Sequence, residues 1–453
     1  MAESLRHEKT ARQLRLLSDA LDSGRLGPVR RLVNTLSPAE IGNLLESLPP
    51  AKRTVVWGLV DAEDDGEVLV HVGDEVREGL LAEMDPDEIV AAVEDLDIDD
   101  LADLVEDLPD AVIEQVLLSM DRENRERLEQ VLSYPEDTAG RLMNPDVVTV
   151  RADTTIEVVL RYLRLRGELP EHTDHLYVVS RRHQYLGRIA LSALLTHEPG
   201  TPINRLIDDE QGAIDVGENA PEVARKFSDH DWLSAPVVDG SNILLGRITI
   251  DDVVDIIREQ AEHQALSAAG LDEDEDLFSP VRRATKRRLA WLTINLATAF
   301  LASAVVGLFE GTLDQIVALA ILMPIVAGMG GNAGTQVLAL MVRGLALGQV
   351  GSSNFKALLW KETQVALLNG IALGTILAVV VFLWFHSAAL SLVIAVALTI
   401  NQLSAAIAGV LVPLTLRRLG FDPALASSIF LTTVTDVMGF FSFLGLATIF
   451  LLR

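Results

Sequence analysis

The chain has 453 residues, 65 acids against 37 bases, a net charge of −28 and a composition that is 49% hydrophobic. It contains no cysteine, which excludes disulfides and thiolate metal sites. So acidic a protein is a poor partner for nucleic acid and anionic lipid and a good one for cations, plain solubility being the alternative reason for such a surface.

The length predicts several domains. The opening stretch "MAESLRHEKTARQLRLL" is charged throughout, which argues against a signal peptide. Residues 1–135 read as short helices with internal repetition. "LSPAEIGNLLESLPP" (36–50), "MDPDEIVAAVEDLDI" (84–98) and "LDIDDLADLVEDLPD" (96–110) share one plan: a hydrophobic residue, an Asp/Pro-rich N-cap and an amphipathic helical pattern. Repeats of this kind suggest a helical superhelix. Residues 84–110 hold twelve acids and no base. They form either a solvated face or a surface that needs a cation before another acidic surface can pack on it.

From "YPEDTAGRLMNPDVVTV" (134–150) to about Gln260 the texture changes to two strand–helix units. "DHLYVVSRRHQYLGRIALSALL" and "WLSAPVVDGSNILLGRITIDDVV" both end in Gly-Arg-Ile before a helix, and the Val178-to-Gly187 spacing equals the Val237-to-Gly246 spacing. This predicts a duplicated α/β module. In the helix after the second copy, Asp252, Asp255, Glu259 and Glu262 fall within about 80° of one another, with Asp251 close by. Like charges at that spacing repel. A divalent ion bridging the stripe to another acidic surface, such as 84–110, would relieve the repulsion. Oxygen ligands without cysteine suit a hard cation rather than zinc or copper.

Five acids at 272–276 and a basic collar (Arg282, Arg283, Lys286, Arg287, Arg288) then lead into the first of five apolar stretches, 289–309, 315–342, 363–385, 387–416 and 423–452. Each exceeds the roughly 20 residues a spanning helix needs. Beyond Leu289 only five acids and six bases remain, so residues 1–288 carry −29 and all the excess acid. Lys and Arg flank the start of span one and the connections after spans two and four, which predicts the N-terminus inside and the C-terminus outside. The terminal Arg453 is the single dissent.

Two features inside the spans are polar. "PIVAGMGGNAGTQ" (324–336) gathers Pro324, four glycines including Gly328, Asn332, Thr335 and Gln336. Such a segment either packs closely on another helix or lines a wet cavity. Asp436 lies near the middle of the last span, beside Thr432, Thr433 and Thr435. An aspartate there costs roughly 2.5–3.5 kcal/mol even on the lenient insertion scale. Either the neighbouring hydroxyls satisfy it, or it attracts a cation or carries a proton.

The order of these parts resembles the MgtE magnesium channel/transporter family, on "YPEDTAGRLM", "PIVAGMGGNAGTQ", "RRLGFDPALAS" and "TDVMG". The resemblance covers essentially the whole chain. It implies an all-α helical-repeat domain (1–135), an α/β paired CBS module (136–262), a connecting helix (263–288) and an α-helical membrane domain of five spans (289–453). It also implies a multi-pass protein of the bacterial inner membrane that works as a homodimer among lipids, with its pore on the two-fold axis and no enzymatic role. Asp436 matches the family's pore aspartate, and Asn332, Gly328 and Thr432 become candidates for the lining. Mg²⁺ at intracellular sites, matched here by Asp231, Asp252 and Asp255 with Glu259 and Glu262 nearby, would draw the cytosolic domains together and close the pore. Asn219, Pro221, Gln260, His263 and Gln264 stand where several family carboxylates are expected. ATP is a second family ligand. Ser192 and Ala193 replace the expected ribose-binding Asp in the first copy, while Thr249 and Asp252 remain in the second. Against the gated channel stands a proton-coupled secondary transporter of divalent cations that uses Asp436 protonation.

Overall fold

The computed structural model describes residues 20–21, 26–94, 96–105, 107–208, 212–267, 270–271, 276–351 and 354–452. The acids 272–275 and Arg453 lie outside the described residues. The chain divides into two compact units, Met1–Ala261 with Asp274–Ser279, and Glu262–Glu273 with Pro280–Arg453.

The first unit begins with short helices: α1 (Leu26–Val33), α2 (Pro38–Glu46), α3 (Pro50–Trp57), α4 (Asp65–Val70), α5 (Asp74–Leu81), α6 (Pro86–Ala92), α7 (Ile98–Val105), α8 (Asp110–Ser119) and α9 (Arg122–Leu132). Apart from α4, each starts twelve residues, or a multiple of twelve, after the one before it. The reason is local. Ser37 and Asp85 close capping boxes with Glu40 and Glu88, and proline fills the first helical position of both helices. An arginine that bonds carbonyls at helix ends recurs at multiples of 24 residues. Arg53 donates to the Leu45 and Leu48 carbonyls at 3.0 and 3.2 Å. Arg77 repeats this on Leu69 and Val72, both at 3.0 Å. Arg125 donates to Met120 O at 3.2 Å, while Leu101 takes the intervening place and is buried instead. Each guanidinium satisfies carbonyls that the short helices leave open at their C-termini. The predicted helical repeat is therefore present, and its twelve-residue spacing is the offset between the second and third quoted segments. Arg53 also forms a buried ion pair with Asp276 at 2.9 Å, and Ser279 Oγ donates to Glu75 Oε2 at 2.6 Å.

After α10 (Ala139–Leu142) come β1 (Thr149–Arg151), α11 (Ile156–Arg166), β2 (His175–Val179), β3 (Tyr185–Ala190) and α12 (Leu191–Thr196). The second copy is β4 (Ile214–Asp215), α13 (Ala220–His230), β5 (Ser234–Val238), β6 (Leu244–Thr249) and α14 (Ile250–Ser267). Each copy builds a three-stranded sheet in which the first strand runs parallel to the second and the second antiparallel to the third. Val178 pairs with Gly187 and Val237 with Gly246, and each sheet bulges just after that pair. The equal spacing read in the sequence is thus a shared register. A Cβ at Gly246 would lie 2.8 Å from the Asn144 carbonyl, so that strand is glycine because another backbone touches it.

Among the described residues the second unit contains five helices long and apolar enough to cross a membrane. They are α15 (Val281–Gly307), α17 (Ala318–Ala346), α18 (Phe355–Phe385), α19 (Ala388–Arg418) and α20 (Pro423–Leu451), with the short α16 (Glu310–Gln315) between the first two. The helix of span one runs back through the basic collar, and α18 starts eight residues before the expected span. Lys, Arg and Glu are good helix formers and extend a span into the interface without a break. α19 is the most buried of the five, with α17, α18 and α20 packed on it.

Candidate ion sites

In the first unit the acidic surfaces do meet. Asn144 joins them: its backbone exchanges hydrogen bonds with Arg247 at 2.8 and 2.9 Å, and its Nδ2 donates to Asp97 Oδ2 at 3.1 Å and Asp99 Oδ1 at 3.2 Å. Arg247 lies on β6, which runs directly into α14. This places the N-terminal turn of α7 against the start of α14. Asp252 is the third residue of α14 and accepts from the backbone amide of Thr249 at 3.2 Å, half of a capping box. Thr249 Oγ1 donates to Asp251 and Asp252. The two candidate nucleotide residues therefore bond each other as a helix cap.

The charges here do not balance. Burial, then Asp252, Asp100 and Asp97, push Asp99 well above the ordinary carboxylate range. Burial and then Asp97, Asp103, Asp251 and Asp255 push Asp100 up to about 7. Burial, Asp251 and Asp100 push Asp252 up to about 8. Partial desolvation, Asp255 and Asp103 push Glu259 up to about 7. Asp255 faces Arg258 at 3.7 Å on its own helix. Glu262 continues the same helix. Asp231 caps α13 in a left-handed conformation and is not among the carboxylates that bear most strongly on Asp99, Asp100 or Asp252. Among the described residues no three His, Asp or Glu side chains converge as a ready metal-binding group. The acids are gathered without being closed around one point, which suits a hard cation that keeps its waters.

In the second unit α17 has two faces. Leu322, Val326, Gly330, Gly334 and Val337 are buried against the bundle. Pro324, Gly328, Asn332 and Thr335 lie on the opposite side and are exposed in the single chain. Nothing lies within 4 Å of a Cβ built at Gly328. On α20, Thr432 is exposed and Asp436 half-buried one turn later. The hydroxyls of Thr432, Thr433 and Thr435 donate to the carbonyls of Ser428, Ile429 and Thr432, at 2.8 to 3.0 Å, and not to Asp436. This removes the reading in which neighbouring hydroxyls satisfy the carboxylate.

Sequence reasoning missed Asn401 and Gln402 of α19, exposed by 0% and 3%. Asn401 Nδ2 donates to Val326 O at 2.8 Å and Gln402 Nε2 to Met329 O at 3.4 Å. The signal was there, since two adjacent amides inside an apolar span call for partners.

A soluble acidic unit built from helical repeats and two small sheets, joined to five spanning helices with an outward polar stripe, defines a multi-pass membrane protein suited to handling cations. Comparison with known families agrees. The model described as "Divalent cation transporter" matches residues 323–446, the MgtE intracellular N domain matches 36–137, and the CBS domain matches 139–200 and 213–259. The magnesium transporter MgtE of Thermus thermophilus is 30% identical over 440 residues, 96% of this chain and 98% of that one. Its Bacillus subtilis counterpart is 28% identical over 433 residues, 95% and 96% of the two chains. Among solved structures, the cytosolic domain of the Mg²⁺ channel MgtE in complex with ATP aligns at 30% identity with a TM-score of 0.48, covering 53% of this chain and 98% of that one. The chain belongs to the MgtE family, whose relatives are magnesium transporters.

Proposed function

We propose that two copies of this chain form a Mg²⁺-selective conduit, with Asp436 of each as its ion site and Gly328, Asn332 and Thr432 along its lining. The observation that carries this is the polar stripe of α17 and α20, which faces away from the helices that bury their other sides. Lipid would leave such groups without hydrogen-bonding partners, whereas water and a second copy would not. One carboxylate per chain is a sparse site. Mg²⁺ sheds its waters reluctantly and is commonly held by one or two carboxylates with the remaining waters kept.

The soluble unit supplies the control. A divalent ion among Asp99, Asp100, Asp252, Asp255 and Glu259 offsets the repulsion between α7 and α14. Depletion of the ion loosens their contact and favours opening, so the conduit closes when Mg²⁺ is plentiful inside. Thr249 and Asp252 are the candidate residues for a nucleotide. Their mutual cap leaves a nucleotide the Thr249 edge only if that cap rearranges. The conduit is tested by Mg²⁺ flux in liposomes under a set voltage with no proton gradient. Flux that follows voltage and is lost in Asp436→Ala supports it. Flux that requires a proton gradient favours the coupled transporter, a reading kept open by an Asp436 carboxylate that no described residue hydrogen-bonds or ion-pairs.

A further inference from the structure

We infer that Asn401 is a positioning residue of the ion path, setting the rotation of α17 against α20 and with it the placement of Asn332 relative to Asp436. The inference rests on the conduit reading above. Asn401 is fully buried, and its Nδ2 donates to the Val326 carbonyl while its Oδ1, also buried, has no hydrogen-bond partner among the described residues. A half-satisfied amide in an apolar core is less favourable than a leucine of similar size. Packing alone therefore does not explain it.

The surrounding glycines show what the amide holds. A Cβ at Gly330 of α17 would lie 2.1 Å from Asn401 Nδ2, and one at Gly439 of α20 would lie 2.8 Å from the same atom. One side chain of α19 thus touches the helix that carries Asn332 and the helix that carries Asp436, in the gaps their glycines leave. Asn332 is two residues from Gly330 and Asp436 three from Gly439, so both lie within about one helical turn of this joint. Gln402 adds a second tie, to Met329 O. Val326 and Met329 bracket Gly328, so the two amides fix the backbone on both sides of the exposed glycine. A rotation of α17 by one residue, about 100°, would turn Asn332 out of the stripe.

The test is voltage-driven flux of Mg²⁺ and of Ca²⁺ in liposomes for wild type, Asn401→Leu, Asn401→Asp and Asp436→Ala. Asn401→Leu is expected to keep the wild-type elution profile and to lose about tenfold in Mg²⁺-over-Ca²⁺ preference. Asn401→Asp is expected to approach wild-type preference at low pH, where the protonated carboxyl can donate to Val326 O, and to lose it as pH rises. The ratio to wild type at each pH removes the response of other groups. Unchanged preference in Asn401→Leu overturns the inference. Should that variant not fold, a flat pH profile in Asn401→Asp overturns it as well. Abolished flux in Asp436→Ala together with wild-type behaviour of both Asn401 variants leaves the conduit standing and removes only this inference. Intact selective flux in Asp436→Ala removes both.

Discussion

In the soluble unit, Asp99, Asp100 and Asp252 sit among other carboxylates, and each is pushed upward in pKa by burial and by its neighbours. In the membrane unit, Asp436 has threonines beside it that bond their own helix and leave it alone. The difference teaches how one ion can be handled in two ways. On the proposed reading a crowd of acids would answer to ion concentration, because an added cation, like protonation, relieves the repulsion between the surfaces. In the proposed conduit a lone carboxylate in a polar stripe would hold a hydrated ion weakly enough to release it. The soluble unit adds a third setting, the buried pair of Arg53 and Asp276, in which the arginine also bonds two carbonyls.

That third setting sharpens the contrast most. Arg53→Ala leaves Asp276 buried without its partner, and losses of this kind cost about 3–5 kcal/mol. Amide hydrogen exchange in α2 and α3 of the solubilised protein is expected to accelerate correspondingly. Unchanged exchange would mean that this pair matters no more than a surface one.

The crowd of acids predicts a pH dependence of definite sign. A carboxyl raised to about 7 (Asp100) or about 8 (Asp252) is protonated in the folded state at pH values where the unfolded chain, titrating near 4, has already released its proton. Without divalent ions the folded state then binds more protons across this window, and the packing of α7 on α14 weakens as pH rises from about 4 to about 8. Mg²⁺ is expected to flatten that slope. Exchange protection in α7, followed against pH with chelator and with Mg²⁺, measures it. A slope of opposite sign would show that the acids are compensated internally.

A smaller effect is expected from Asp100→Asn. It removes one like charge and should firm the cation-free contact by roughly 0.5 kcal/mol, while raising the Mg²⁺ concentration needed for protection. The smallest belongs to the exposed pair Arg122 and Glu126, 2.8 Å apart. Arg122→Ala should change stability by no more than about 0.5 kcal/mol in a thermal scan.

The sequence made the spans, the duplicated sheets and the acidic stripe on α14 legible, because each follows from periodicity along one segment. The Val178–Gly187 and Val237–Gly246 spacings are cross-strand pairs in the structure. The 24-residue recurrence of Arg53, Arg77 and Arg125 was readable too, but arginines in an acidic chain look like surface charge until their carbonyl partners are seen. Asn144 was hidden for a different reason. It gathers Asp97 and Asp99 from across 45 residues or more, and nothing local marks it. Asn401 was readable as an amide in need of a partner, but its partners were hidden, because a span's sequence does not say which face meets which helix. Only the gaps at Gly330 and Gly439 show what the amide fills.

The most direct measurement of the central claim is Mg²⁺ flux into liposomes for wild type and Asp436→Ala, with voltage set and the proton gradient collapsed. Loss of flux or of Mg²⁺ selectivity in the variant, against voltage-driven flux in wild type, is the predicted result. Undiminished and still selective flux in Asp436→Ala would contradict the assignment of this carboxylate as the ion site.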